Sequence, residues 1–527
     1  MSAMKTTRRL PQGLQSFVQI RKEGYVIVDK TDLVWKIANG VRYNFLNRPR
    51  RFGKSLLTDT LACYLAGKKE LFEGMKIMDL EQEWPQRHVF RFDFSGHETA
   101  QGLERYLQTS LELYEQKFGK SPFTGLADKF SWLMQQACEQ TGYTVGVVVD
   151  EYDSPLQHTL FNPTEHEKFV QVYRSFFPAL KTSSQYLKCL FITGITKFTQ
   201  LSLFSTLNNV SVLSTMPEYA TVCGFTHQEI IDNFQPELEA MGQKFGQSVD
   251  QVLNDLRDMY DGYHFSDDTA PEKAVYNPFS LINALAEGRL RNYWAASGGS
   301  DLLDKMLQRT EVNKETLDGC TIDRDTLDLA DVTPDNIPLF LYQCGYLTIK
   351  GASKHRYTLG FPNNEVRRSL YKIVLPNALR KRSYYVDNIM GDIQQALDNS
   401  DVATAMEKLK QLISSVPFAH DSEEYLTEER YRYLLKIAFY LVGCHIEEEK
   451  PMASGIIDLV AHYDNCILVM ELKLDSNGGL KAAKEQLDAR NYAAAFAAED
   501  KPVYAIAIEL GSHERSITAY DITRCSV

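Results

Sequence analysis

Three features of the sequence predict an α/β fold with a mostly parallel, doubly wound sheet. Apolar strand-like runs alternate with helical patterns, a Gly53-Lys54-Ser55 turn joins a strand to a helix, and the acidic pair Asp150-Glu151 ends a second strand. In order, residues 25–31 (YVIVDKT) and 41–46 (VRYNFL) read as strands. The second runs into the turn, after which Leu56, Leu57, Leu61, Tyr64 and Leu65 recur at helical spacing. Three more runs read as strands: 88–94 (HVFRFDF), 144–150 (TVGVVVD) and 187–193 (LKCLFIT), with helical patterns between them.

From 226 to 335 the chain turns polar and helical, with breaks at 261–265, 276–280 and 296–300, as expected of a helical lid or connector. Residues 337–362 read as a short helix followed by two extended runs, a winged-helix-like pattern. An amphipathic stretch at 400–414 leads into a second α/β pattern. It comprises a helix at 428–442, strands at 444–450, 455–462 and 465–474, an Ala-rich helix at 479–497 and a strand at 502–510. The expected division is 10–225, 226–385 and 386–527. A length of 527 residues alone gives a prior of roughly three or four domains.

Composition excludes several classes. Hydrophobic residues make up 44% and charged residues 24%, the range of a folding globular chain. The nine cysteines form no CxxC pair and predict reduced thiols rather than a zinc site or a disulfide framework. The N-terminus lacks an apolar signal core, and no apolar run approaches the ~20 residues that span a bilayer, so the cytoplasm is the expected compartment and no membrane is expected as a partner. A formal net charge of −12 confines any nucleic-acid contact to local patches. Two basic stretches qualify: 48–54, and the series Arg367, Arg368, Lys372, Arg380, Lys381 and Arg382. The second also reads as a solvated helix face.

Triphosphates need convergent N–H donors, which a tight loop opening onto a helix supplies, together with a cation. RPRRFGKS offers that pattern: Gly53 for close backbone approach, Lys54 for the β- and γ-phosphates, and Ser55 for Mg²⁺. Arg48 stands where the usual motif has its first glycine and is expected among the cofactor-binding residues of a loop that follows a modified path. Gly146 to Val149 would deliver Asp150 to the Mg²⁺ shell and Glu151 to the attacking water. The competing reading is a surface turn with an incidental acidic pair. The strand at 88–94 lies between loop and acidic pair in sequence, and another strand follows the pair, the layout of additional-strand P-loop NTPases. Thr193, Thr196 or Asn209 would sense the γ-phosphate from that following strand, Thr193 ranking first.

In the C-terminal region Asp458 ends GIID, while Glu471 and Lys473 alternate along ILVMELKL and so share a face. Two carboxylates and a lysine suit metal-assisted phosphodiester cleavage, with Mg²⁺ on Asp458 and Glu471. Glu-x-Lys recurs at 115–117, 448–450 and 499–501, but only 471–473 lies on a convincing apolar strand. Edge-strand carboxylates paired with lysines are the alternative.

These segments resemble a bacterial and archaeal family that joins an AAA-like ATPase domain to a PD-(D/E)XK nuclease-like domain of restriction-endonuclease-like α/β fold. The matching landmarks include VDKT (28–31), RPRRFGKSLL (48–57), LFEGM (71–75), VVDEYD (148–153), TGITK (193–197), LNN (207–209), YDGY (260–263), YNPFS (276–280), GYLTIK (345–350) and FPNNEVR (361–367). In the C-terminal part they are Glu428, Glu449, Gly455, Asp458, Glu471, Lys473, Gln486 and Tyr492. The resemblance makes Arg48 a family trait. It implies an ATP-dependent protein controlling a Mg²⁺ nuclease that acts on DNA, with Asp458 and Glu471 on the metal, Lys473 assisting the attacking water, and Glu428 either adding a metal contact or standing as an exposed helix carboxylate. It also implies a homo-oligomer, since AAA-like ATPases often assemble into rings. Ile456 stands where the family often has arginine. A nucleotide-controlled regulator with an inactive nuclease-like module is the rival reading.

Overall fold

The computed structural model describes residues 8–198, 210–294, 300–307, 317–329, 332–333, 336–414, 427–452, 455–490, 496 and 499–525. Asn209 and the LNN landmark, like Tyr492, lie outside them. The contacts divide the chain into two units: 1–298 with 317–366, and 299–316 with 367–527. The region expected as a connector thus falls mostly within the first unit.

The first unit is built on a five-stranded parallel sheet of β1 (Tyr43–Asn47), β2 (Val89–Asp93), β3 (Val145–Asp150), β4 (Leu187–Gly194) and β5 (Ser211–Val212), in the order β2-β3-β4-β1-β5. β4 therefore lies between the strand that feeds the Gly-Lys-Ser turn and the strand that ends in the acidic pair. Val145, Val147 and Val149 join Leu107, Leu133 and Phe176 in one core cluster on one face. Gly146 faces the other way, where a Cβ would come within 2.9 Å of Leu65 on the helix Lys54–Leu65. Burial on both faces is what a continuous Val-rich run implies.

Residues 25–31 differ from the strand expected there. Tyr25 makes only an isolated bridge to Arg9, and Thr31 starts the helix Thr31–Asn39. The Asp29 carboxylate accepts from the Thr31 amide at 2.9 Å and its hydroxyl at 2.7 Å, so a side-chain bond turns the apolar run into a helix start.

The helices His227–Phe245, Val249–Tyr260 and Pro278–Glu287 form a separate cluster around Ile230, Leu256 and Leu281, which Val28 joins. Capping boxes Thr226/Glu229 and Ser248/Gln251 open the first two. The expected wing is larger than the sequence suggests: β7 (Thr348–Ala352) and β8 (Arg356–Gly360) are joined by β6 (Cys320–Asp323) in the order β6-β8-β7.

The second unit carries a mixed sheet of β9 (His445–Met452), β10 (Gly455–His462), β11 (Ile467–Leu474), β12 (Val503–Leu510) and β13 (Ile517–Arg524), in the order β13-β12-β11-β10-β9. Only β11 and β12 run parallel, connected through the helix Gly479–Arg490. β13 has no counterpart among the strands expected from sequence; its half-exposed edge pattern carries no apolar run. Among the described residues no helix is long and apolar enough to cross a membrane.

Candidate functional site

β1 ends at Asn47, and the chain curves through Arg48–Gly53 into the helix Lys54–Leu65. Gly53 has φ +87° and caps that helix without a side-chain bond, so the first-turn N–H groups receive no acceptor from the cap residue. Lys54 is buried inside the curve. Its Nζ donates at 3.0 Å to the carbonyl oxygens of both Arg48 and Pro49. Burial pushes its pKa down, opposed by the charges of Asp153, Asp150 and Glu151. Across β4, Asn47 pairs in register with Gly194 and Val149 with Ile192, so the loop after β1 and the acidic turn after β3 leave the same edge of the sheet.

Arg48, expected among the cofactor-binding residues, points its side chain elsewhere. The guanidinium donates to the carbonyls of Asn47 (3.0 Å), Ser214 (2.8 Å) and Tyr219 (3.1 Å) and lies 4.1 Å from the Phe265 ring centroid. Arg48 serves the loop through its carbonyl, while its buried side chain braces the segment after β5. Gly345 explains a second landmark: at φ +86°, a Cβ there would lie 2.5 Å from the Pro49 side chain.

At the end of β3, Asp150 Oδ1 accepts from the Glu151 amide at 3.0 Å and from the Thr193 hydroxyl. Thr193 is fully buried, and its hydroxyl is directed at that carboxylate. Glu151 adopts φ +50°, a left-handed conformation unusual for a side-chain-bearing residue and frequent at functional sites. Burial raises its pKa, and Lys54 pulls it back. Ser55 lies in the first helical turn beside Lys54.

Sequence reasoning missed Asp153. It is buried and accepts from the Ile195 amide (3.1 Å), the Thr196 amide (2.5 Å), the Thr196 hydroxyl (2.6 Å) and Gln157 Nε2 (2.6 Å). Thr196 is thus committed to Asp153. Tyr152 adds a bond from its hydroxyl to the Thr196 carbonyl at 3.1 Å. The repeat of acids in VVDEYD was the signal that could have found it.

Beside Gly53 lies a mainly apolar cavity of about 100 Å³, walled by Val28, Phe52, Leu57, Met75 and Phe225. Lys30 reaches it while paired with Glu229 at 2.6 Å.

In the second unit the register pairs Leu459 with Met470, which sets Asp458 opposite Glu471. Asp458 Oδ2 accepts from the Leu472 amide at 2.9 Å, and Lys473 Nζ lies 3.0 Å from Glu471 and 3.9 Å from Asp458. Glu471 is fully buried, and its Oε2 has no hydrogen-bond partner among the described residues. Burial, then the Asp458 charge, raises its pKa to about 7. Burial depresses Lys473, but the Glu471 bond and the charges of Glu471, Asp458 and Glu428 outweigh it and hold the ammonium above its ordinary value. Glu428 accepts from the Leu474 amide at 3.0 Å and Asn477 at 3.1 Å, so it ties the helix to the end of β11.

Arg432 was not foreseen. It bridges Glu449 at 3.0 Å and Asp458 at 3.5 Å, and its position one turn after Glu428 on the same helix was the clue. Ile456 is 54% exposed and supplies no charge. Among the described residues no three His, Cys, Asp or Glu side chains are placed to hold a metal, so a cation here would have two carboxylates at most. Mg²⁺ accepts that, keeping waters elsewhere, and the partnerless Glu471 Oε2 fits a hard cation.

The chain is similar over nearly its whole length to an "Uncharacterized protein in vnfD 5'region" of Azotobacter chroococcum mcd 1. The identity is 28% over 526 residues, covering 97% of this chain and 98% of the relative. Residues 11–204, which hold the loop, the acidic turn and β4, match the family model AAA-ATPase_like, described as a predicted AAA-ATPase, and this N-terminal part of the chain is AAA-ATPase-like.

Proposed function

We propose that the chain binds and hydrolyses ATP in its first unit and that the nucleotide state controls a Mg²⁺-dependent nuclease in its second, acting on DNA. The observation that carries the ATP half is that the loop holding Lys54 and the turn holding Asp150 and Glu151 leave the same edge of the parallel sheet, supported by the match over residues 11–204. The Lys54 ammonium exchanges its two loop carbonyls for phosphate oxygens, and the first-turn amides after Gly53 take others. Ser55 and Asp150 offer hard oxygen donors for magnesium, with Thr193 orienting Asp150. Glu151 orients the attacking water, and the apolar cavity beside Gly53 takes the base. Bound magnesium supplies charge neutralisation at the phosphates in the first unit and a lowered water pKa in the second.

In the second unit Asp458 and Glu471 would hold the cation, and Lys473 would orient the water and balance developing phosphate charge. One observation favours the rival reading of an inactive interaction module: Asp458 and Glu471 are already ion-paired with Arg432 and Lys473. Two measurements decide. Calorimetry with ATP and Mg²⁺ should give binding in the wild type and none in Lys54→Ala; no heat in the wild type ends the ATP reading. Plasmid cleavage with Mg²⁺ should occur in the wild type and be lost in Lys473→Ala. Equal absence of cleavage across DNA and RNA substrates selects the interaction module.

A further inference from the structure

We infer that the corner Arg380–Tyr385 of the second unit is a docking surface for single-stranded DNA, with Arg380 and Arg382 taking phosphates and Tyr384 stacking on a base. The inference rests on the nuclease reading for why DNA is the partner, and it adds where the strand is held.

The sequence Arg380-Lys381-Arg382-Ser383-Tyr384-Tyr385 joins the helices Asn364–Leu379 and Ser383–Asp398. Two of its side chains build the corner. Lys381 Nζ donates to the Leu412 carbonyl at 2.7 Å, the Gln411 carbonyl at 3.2 Å and the Ser414 hydroxyl at 3.2 Å, and it lies 5.4 Å from the Tyr385 ring centroid. Arg380 adopts φ +47° in the tight joint, with its amide bonded to the Asn377 carbonyl at 3.0 Å. The other side chains are presented outward. Arg380 and Arg382 are exposed, and among the described residues neither has a carboxylate within ion-pair distance. Tyr384 is 74% exposed, the most exposed large apolar side chain among the described residues.

The corner lies toward the Lys473 end of the sheet. At its far end, the helix Ser383–Asp398 bonds to the β10–β11 turn through Tyr463 and Asn465, and the hairpin register places that turn opposite the Asp458–Glu471 end. The helix Val402–Leu412 runs back: Lys410 donates to the Thr518 carbonyl at 2.9 Å and Thr518 to Glu509 at 2.8 Å, and Glu509 pairs in register with Lys473. In a chain of net charge −12, two exposed guanidiniums two and four residues before an exposed aromatic, with no ion-pair partner among the described residues, complement a polyanion with unstacked bases. Stacking needs a base face that a duplex hides, so the occupant is a single strand.

The test is fluorescence anisotropy of a labelled single-stranded oligodeoxynucleotide on the full chain in EDTA, so that binding is read without cleavage. Tyr384→Ala should weaken binding roughly tenfold, and Tyr384→Phe should retain it, because the ring does the stacking. Arg380→Gln with Arg382→Gln should weaken binding and flatten the dependence of log affinity on log salt by about 1.4, roughly 0.7 for each phosphate of a single strand that is no longer neutralised. Unchanged affinity in the Tyr384 and arginine variants, with a wild type that binds and cleaves, overturns the docking surface alone. A wild type that neither binds nor cleaves overturns the docking surface and the nuclease reading together.

Discussion

The Thr193 hydroxyl donates to Asp150 Oδ1, joining the end of β4 to the end of β3 beneath the candidate nucleotide site. Expected from sequence to sense the γ-phosphate, Thr193 is placed to act through the carboxylate that would face magnesium. Thr193→Val keeps the shape and removes the donor. We predict that ATP affinity in EDTA stays at the wild-type level while affinity with Mg²⁺ falls roughly tenfold, the scale of one hydrogen bond to a charged group. Calorimetry under the two conditions checks this. An equal loss with and without Mg²⁺ would mean that Thr193 touches the nucleotide itself.

Arg48 leads to a prediction about stability rather than affinity. Its guanidinium serves three carbonyls in a buried setting, and Arg48→Ala strands those at Ser214 and Tyr219. The expected cost is roughly 3 kcal/mol, from unsatisfied buried acceptors and lost packing on Phe265. Arg48→Lys should recover little, since one ammonium cannot span acceptors arranged for a planar fork. Urea unfolding measures both, and ATP affinity below the transition should be nearly unchanged. A stable variant that has lost ATP binding would return Arg48 to the ligand shell.

Much of this was readable from the chain because the readable parts are local. β3 and β4 of the first unit are apolar runs that find both faces covered, β2 alternates buried and exposed residues, and Lys54, Ser55, Asp150 and Glu151 stand at or after strand ends. What escaped depends on partners distant in sequence. Asp153 gains its importance only when Ile195 and Thr196 bring their amides to it, and Arg432 only when its helix lies across β9 and β10. The Tyr25–Thr31 segment misled because its apolar content resembles a strand, while Asp29 commits it to a helix start.

On the proposed reading, Arg432 and a cation at Asp458 would compete for one carboxylate. Removing the arginine should therefore lower the starting stability, since Glu449 loses its arginine and Asp458, of its cations, keeps only Lys473 at 3.9 Å, and enlarge the stabilisation gained on adding Mg²⁺. Thermal unfolding of wild type and Arg432→Ala across a Mg²⁺ titration checks both effects. Identical Mg²⁺ responses would remove Asp458 from any cation site.

Glu365 provides a pH test in the first unit. It is buried, and its Oε1 accepts from the Tyr293 amide at 2.6 Å and the Trp294 amide at 2.9 Å. Burial raises its pKa from 4.5 to about 7, although the two backbone bonds pull it down. A folded pKa above the unfolded one means the native state holds its proton more tightly. The resulting stability is fully present below about pH 4.5 and is lost as pH rises through about 7. The loss amounts to roughly 3 kcal/mol at most, since a tenfold change in proton affinity is worth about 1.4 kcal/mol. Glu365→Gln keeps the Oε1 acceptor and never ionises. Its unfolding free energy should match the wild type near pH 5 and exceed it increasingly toward pH 8. Urea denaturation at the two pH values reads the difference directly. A gap of the same size at both would mean that the carboxyl does not change its ionisation on folding, and that the amides of Tyr293 and Trp294 already hold it charged.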